Sequence, residues 1–388
     1  MKILHTSDWH LGHTLYGYDR GKEQRAMLLQ MEEIVRKEQP DAFLLSGDVY
    51  HTAQPSSAVQ TLFAESMMRL HEACPGMVIV VTAGNHDSGT RHEVFRAPWR
   101  GYQVFTLGTL DKENPENHVV ELSGKGYIIA IPYANERNLP EGFFAQMTDW
   151  VGERNAAGLP VVLMAHLTLK GCDYVGHDAI ADRIVGGIDA YDVKGMGEGY
   201  DYLALGHIHH GQFVHTGRHN ARYSGSPLAV SFDERYAHSV SMVEIGAHGE
   251  QPKVRTIEIR NPRPLVTLPT EGAATWEEAK RLLADFPSDL SAYIRLNVRQ
   301  EDFPPVEANE EATRLTEGKR CRFCCINYVR PEEKQLVAKK LTVQELQEAA
   351  PIDIARQFVE ESGLEFDGEM EEIFKEVLRL TEEDARNQ

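Results

Sequence analysis

Cysteine is scarce, with five residues in 388, and their odd number shows no framework spacing. A disulfide-stapled secreted domain is therefore excluded, and Cys74, Cys172, Cys321, Cys324 and Cys325 read as reduced thiols. Cys321 and Cys324 have half the spacing of a zinc site, but no second Cys pair completes it. Their surroundings, RCRFCCINYV, read as a β-strand. No apolar run approaches 18 residues, which excludes a transmembrane helix and leaves no membrane role. The N-terminus, MKILHTSDWH, lacks the apolar stretch of a signal peptide, so the expected compartment is the cytoplasm. Internal repeats and low-complexity tracts are also missing.

Basic residues are outnumbered. There are 40 Lys and Arg against 59 Asp and Glu, a formal net charge of −19. Taken alone, this argues against nucleic acid as a partner. The distribution softens the argument. Residues 341–388 hold 14 acidic and 4 basic side chains, net −10, so the other 340 residues carry only −9. Part of that remainder consists of carboxylates that a bound metal would neutralise.

At 388 residues the chain exceeds one ordinary domain. Strands are expected at Lys2–Thr6, Ala42–Leu45, Met77–Thr82, Gly126–Ile131, Val161–Ala165 and Tyr202–Leu205. Arg222–Ser224, Ser239–Ile245 and Lys253–Ile259 follow, with helices at Gln24–Lys37 and Ser57–His71. This order predicts an α/β fold, a two-sheet β-sandwich flanked by helices, over residues 1–262. The two prolines of Asn261-Pro-Arg-Pro264 mark a linker. A small α/β cap domain is expected over 263–340, with helices near Trp276–Asp285 and Val306–Leu315. A C-terminal helical tail is expected over 341–388. Its apolar stripes, Ile352, Ala355, Phe358, Val359 and then Ile373, Phe374, Val377, Leu378, need something to dock on.

Histidine and carboxylate gather at predicted strand ends. Lys2–Thr6 runs into Ser7-Asp8-Trp9-His10, and Ala42–Leu45 into Gly47-Asp48 with His51 beyond. Met77–Thr82 leads to Gly84-Asn85-His86-Asp87. Val161–Ala165 ends at His166, and Tyr202–Leu205 ends in Gly206-His207-Ile208-His209. Ligands collect at the carboxyl ends of strands in such sheets. Mixed imidazole and carboxylate donors suit Mn²⁺, Fe²⁺ or Zn²⁺ better than Ca²⁺ or Mg²⁺. Asp8, His10, Asp48, Asn85, His166, His207 and His209 are too many for one tetrahedral ion. Two divalent metal ions about 3.5–4 Å apart, sharing Asp48, would use them all.

This series, D-x-H, G-D, G-N-H-D, H and G-H-x-H, resembles the calcineurin-like metallophosphoesterases. ILHTSDWHLG, LLSGDVYHT, TAGNHDS, ALGHIHHGQ and RYSGSPLAVSFDE narrow the resemblance to the SbcD nuclease family, with archaeal and eukaryotic relatives. It is strong over about residues 1–260. It implies that Asp8, His10, Asp48 and His209 hold one ion, and Asp48, Asn85, His166 and His207 the other, with Mn²⁺ the expected metal. It implies His86 as the catalytic histidine, His51 as a phosphate-side histidine, and Asp87 as the group orienting His86. His210 and His13 receive no role. The family also implies an SbcC-type coiled-coil ATPase bound by the tail helices. It implies a homodimer through Ser57–His71, with Met67, Met68 and Leu70 as contacts or as core. The expected activity is exonucleolytic and endonucleolytic hydrolysis of DNA phosphodiesters.

The loop carrying Tyr16, Tyr18, Arg20 and Lys22 follows the first metal motif. It reads equally as a DNA contact, through phosphate binding and base stacking, or as a solvated loop. Two competing readings remain: a small-molecule phosphodiesterase or phosphatase with the same metal core, and a non-catalytic assembly module. The extra residues after 260 disfavour the first, and the intact ligand set disfavours the second.

Overall fold

The computed structural model describes residues 1–134, 139–175, 190–214, 219–299 and 306–329, and isolated residues between 352 and 375. The chain divides into two units. One is Met1–Val298 with Pro304–Asn327, and the other is Arg299–Phe303 with Tyr328–Gln388. The second unit lies mostly outside the described residues, and so do most of the apolar positions expected in the tail.

Two six-stranded sheets form the body of the first unit. In the first, β14 (Lys253–Glu258), β13 (Ser239–Glu244), β1 (Lys2–Thr6), β4 (Ala42–Ser46), β5 (Val78–Thr82) and β6 (Val104–Leu107) lie side by side. In the second the order is β11 (Gln212–Phe213), β12 (Ala221–Tyr223), β10 (Tyr202–Gly206), β9 (Val161–His166), β8 (Gly126–Ala130) and β7 (Val119–Leu122). Strands β1, β4, β5 and β6 are mutually parallel, as are β8, β9, β10 and β12. The remaining pairings are antiparallel. Parallel neighbours end on the same edge, so their outgoing loops are clustered.

Side-chain alternation divides the core between the faces of these strands. Ile3, Ala42, Leu44 and Val80 meet Val162, Met164, Tyr202 and Ala204 between the sheets. Leu4, Phe43, Leu45, Ile79 and Val81 face outward, onto helices α1 (Gly21–Glu38) and α2 (Ser57–Ala73). Met27, Met31 and Val35 of α1 are fully buried there. At roughly 2 kcal/mol per fully buried side chain, packing holds α1 more firmly than its caps do. Its N-cap, Arg20, makes no side-chain capping bond. Met67 and Leu70 of α2 belong to this core, and Met68 is half-buried, so core packing accounts for two of the three residues offered as dimer contacts.

The second sheet is covered outside by a helix that the sequence pattern does not reveal. Short helices Gly89–Val94 (α3) and Arg96–Arg100 (α4) precede it, and Phe143–Gly152 is α5. Phe143, Phe144, Met147 and Val151 of α5 pack on Ile129, Leu163 and Leu205. Its N-cap is Gly142 in a left-handed conformation, which leaves no capping signature to read.

After the linker, β15 (Leu265–Leu268), β16 (Tyr293–Arg299) and β17 (Arg322–Val329) form a three-stranded sheet. Helices α6 (Trp276–Asp285) and α7 (Ala308–Leu315) bury Trp276, Leu283 and Ala312 against Ile294, Leu296 and Phe323. The start of α6 is set by a capping box between Thr275 and Glu278. All five cysteines are free, and Cys321 is buried in this small core. Among the described residues no helix is long and apolar enough to cross a membrane.

Candidate metal centre

The loops leaving β1 and β4 stay paired after the strands end. Asp8 N donates to Gly47 O (3.1 Å), His10 N to Asp48 O (3.0 Å) and Leu11 N to Val49 O (2.9 Å). To keep this pairing and still turn inward, the backbone becomes left-handed at non-glycine residues. Asp8 has φ 54°, His10 44°, Asp48 48° and, after β10, His207 95°. Such conformations are costly and persist where the surroundings over-determine them. At Gly206 no side chain fits, because a Cβ would strike Ser46 O at the end of β4. That close approach brings the ends of the two sheets together.

Five strand ends thereby converge. One ligand atom each from Asp8, His10 and His209 lie within 4.8 Å of one another, and so do those of Asp8, Asp48 and His166. Asp48 Oδ2 is 3.7 Å from His10 Nε2 and 3.5 Å from His166 Nε2. Asn85 Oδ1 is 3.0 Å from His166 Nε2 and 2.9 Å from His207 Nδ1. Asp48 thus lies between an Asp8–His10–His209 group and an Asn85–His166–His207 group.

The hydrogen bonds on the far sides of the imidazoles test whether a cation suits these groups. His209 Nδ1 donates to Glu234 Oε1 at 2.9 Å, which leaves Nε2 as a lone pair. That lone pair is 3.1 Å from His10 Nε2. His166 Nδ1 donates to Ser46 O at 2.9 Å, so its Nε2 lone pair faces the Asn85 oxygen. In the neutral His166 ring, an acceptor thus faces an acceptor, an arrangement that a cation between them stabilises. The donor set is imidazole, carboxylate and amide oxygen, which fits a divalent transition metal.

The charges agree. Burial would raise the Asp48 carboxyl, but the His166, His10 and His86 imidazoles outweigh it and hold it well below the usual carboxylate range. Burial pushes the Asp8 carboxyl up, against the pull of His166 and His209. His166 is pushed up to about 9, because Asp48 and Asp8 overcome the effect of burial. Glu234, Asp8 and Asp48 similarly outweigh burial to raise His209. Burial lowers His10 and His51. The carboxylates around His166 and His209 thus favour positive charge at both imidazoles, as a cation site requires.

Residues 1–211 match the family model described as calcineurin-like phosphoesterase. The SbcD subunit of the SbcCD nuclease of Rhodobacter capsulatus is 32% identical, over 86% of this chain and 88% of its own length. The chain belongs to the SbcD family of calcineurin-like phosphoesterases. The corresponding SbcCD nuclease subunit of Escherichia coli is 30% identical over 69% of this chain and 70% of its own, and that of Bacillus subtilis is 28% identical over both whole chains. Membership implies divalent metal ions as cofactors.

On the open side of this SbcD-family centre stand two more histidines. His86 is exposed, its backbone N–H donates to Asp48 Oδ1 (2.9 Å), and its Nδ1 donates to His51 O (3.0 Å). The His51 and His86 rings stack with centroids 5.6 Å apart. The Asp87 carboxylate accepts from the backbone N–H groups of Gly84 (2.9 Å), Val49 (3.0 Å) and Tyr50 (2.9 Å). It fastens the loop after β4 to the loop after β5, and so orients His86 through the backbone. His210 stacks on Tyr236, with centroids 4.3 Å apart, and pairs with Asp173.

The loop offered as a DNA contact is a hairpin, β2 (Thr14–Leu15) and β3 (Tyr18–Asp19). Tyr16 at its tip is 57% exposed, and Lys22 is exposed. Arg20 is not available for phosphates. It is 2% exposed, and its Nη1 donates to Ala229 O (2.6 Å) and His13 Nδ1 (3.1 Å). Tyr18 OH is committed to Phe323 O at 2.9 Å. The metal motifs alone also give no hint of the supports beneath the ligands. Ser7 Oγ donates to Asp8 Oδ2 (2.5 Å) and meets Ser224 Oγ (2.8 Å), while Glu234 backs His209. Their signal in the sequence is the RYSGSPLAVSFDE stretch, to which the ligand pattern assigns no role.

Proposed function

We propose that this chain is a metal-dependent DNA nuclease, the nuclease component of an SbcCD-type complex, hydrolysing phosphodiester bonds by exonucleolytic and endonucleolytic cleavage. The observation that carries this reading is the convergence of Asp8, His10, Asp48, Asn85, His166, His207 and His209 with His86 at the open side. Asp8, His10, Asp48 and His209 would hold one ion; Asp48, Asn85, His166 and His207 would hold the second, with Mn²⁺ the metal the family resemblance implies and one that this donor set admits. Bound there, divalent ions supply Lewis acidity toward phosphate oxygens and an activated water. The chain's own residues do the rest. Asp48 is the shared carboxylate and, through Oδ1, places the His86 backbone. With Nδ1 committed to His51 O, His86 presents Nε2 to the site, where it assists departure of the 3′-oxygen. His51, stacked beside it, lines the phosphate side.

Residues 1–262 form the nuclease domain in this reading and 263–340 the cap. The 341–388 tail docks on an SbcC-type coiled-coil ATPase, its apolar stripes against the helix pair. The region Ser57–His71 supplies the homodimer face. Tyr16 at the hairpin tip and Lys22 in the first turn of α1 are the residues left to meet DNA. The free thiols fit a reducing compartment, the cytoplasm.

The test is Mn²⁺-dependent cleavage of labelled single-stranded and hairpin DNA, alone and with the ATPase and ATP, beside His86→Ala and a phosphodiester dye ester. The expected result is DNA cleavage by wild type, reduced about 10²–10⁴-fold in His86→Ala at unchanged Mn²⁺ content. Hydrolysis of the dye ester with DNA left intact under all conditions would replace the nuclease reading with a small-molecule phosphodiesterase.

A further inference from the structure

The Ser224–Glu234 segment has no part in the ligand set, yet it lies directly behind one half of it. Glu234 is buried, and its two oxygens are used separately. Oε1 accepts from His209 Nδ1 (2.9 Å) and from the Val230 backbone N–H (3.3 Å). Oε2 accepts from Ser226 Oγ (3.2 Å). Ser224, from the same segment, meets Ser7 Oγ, which in turn donates to Asp8 Oδ2. Asp8 and His209 are therefore both braced by one stretch of chain, and both belong to the same ion position. The other position is braced differently, with His166 Nδ1 on the backbone carbonyl of Ser46.

A carboxylate behind a ligating imidazole fixes the tautomer, orients the ring and makes the lone pair more basic. A backbone carbonyl does the first two with less charge. We propose that Glu234 is a positioning residue for the ion position formed by Asp8, His10, Asp48 and His209, and for that position alone. It acts through His209, holding its proton on Nδ1 and its Nε2 toward the ion. Ser226 and Val230 hold the Glu234 carboxylate in place. The inference rests on the two-ion reading above.

The experiment is a Mn²⁺ titration of the full chain by calorimetry, followed by electron paramagnetic resonance, for wild type, Glu234→Gln and Ser226→Ala. In parallel, ¹⁵N spectra of the histidine side chains are recorded in chelator. Wild type should bind two equivalents. In Glu234→Gln one equivalent should keep its wild-type affinity while the other weakens about 10–100-fold. Ser226→Ala keeps the carboxylate, and should weaken the same equivalent several-fold; it carries the test if Glu234→Gln does not fold. The Nδ1–H signature of one buried histidine should be present in wild type and altered in Glu234→Gln. Equal weakening of both equivalents, or no weakening, would overturn the positioning role while leaving the two-ion reading intact. Fewer than two equivalents in wild type would overturn that reading and the inference with it.

Discussion

Arg20 shows how far a residue's type can mislead about its work. On a loop beside a metal motif, a guanidinium is an obvious phosphate ligand. Here it is buried between His13 and the carbonyl of Ala229, and lies over the Tyr293 ring. Arg20→Ala is expected to lower the free energy of unfolding by about 2–3 kcal/mol, by leaving buried partners unpaired. Lys22→Ala, at an exposed position, should leave stability within about 0.5 kcal/mol. It should instead weaken DNA binding and reduce the salt slope by about one unit. Urea unfolding and salt-dependent binding measured on the same two variants separate these roles; a large DNA defect in folded Arg20→Ala would restore its phosphate role. At this scale the sequence is readable where a residue type has few ordinary reasons to sit at a strand end, as with the His and Asp of the metal motifs. It is unreadable where burial decides, as with Arg20, or where a partner is distant in sequence, as with Glu234 and His209.

Strand ends and the loops between them are the elements that build the centre, and Asp87 joins two of them. Its carboxylate accepts three backbone N–H groups from two loops. Asp87→Ala strips all three at once, and an unpaired buried donor costs about 1–3 kcal/mol. The expected outcome is joint loss of stability and of Mn²⁺ binding, seen as a lower melting temperature and a reduced metal content. His86→Ala should show neither. Retained metal binding in Asp87→Ala would mean that the loops are fixed by other contacts. Strands β1, β4, β5, β9 and β10 are legible within a residue or so at each end, because continuous apolar runs stop abruptly at polar loops rich in His, Asp and Asn. Strands β6 and β7 and helix α5 are not. The first two are four-residue pieces, too short to show a period, and α5 starts without a capping residue.

For the molecule as a whole, protonation and metal binding are linked. His5 lies under the centre between the sheets, with its pKa lowered to about 3 by burial and by Arg222. His13 is lowered to about 3 by burial and by Arg20. A folded pKa below the unfolded value means that their contribution is complete above about pH 6.5 and is lost as pH falls toward 3. His166, raised to about 9 in the absence of metal, has the opposite sign. Its contribution is complete below about pH 6.5 and lost as pH rises through 9. Urea unfolding in chelator should therefore show stability falling on both sides of neutrality. Excess Mn²⁺ should remove the alkaline fall, because a metal replaces the proton on His166, and should raise the midpoint at pH 8 more than at pH 6. A metal effect independent of pH would place the ion away from His166. The sandwich and its site are legible because chemistry and strand order coincide along the first 210 residues. The division of the remaining chain is less so, since small α/β units and short helices carry few distinguishing residues.

Asp8, His10, Asp48 and His207 hold left-handed backbones that side chains other than glycine seldom adopt, whereas Asn85, His166 and His209 do not. At about 1–3 kcal/mol each, such residues subtract from a net stability that is itself only about 5–15 kcal/mol. If the proposed metal centre and its cleavage chemistry are what the chain is selected for, that selection offsets the strain. In a descendant relieved of that selection, drift toward Gly or Asn at these four positions would be rewarded by a sturdier fold. The other three ligands would decay with no such bias. A degenerate copy should therefore announce itself by an uneven pattern of loss, emptied first at the strained corners of the site.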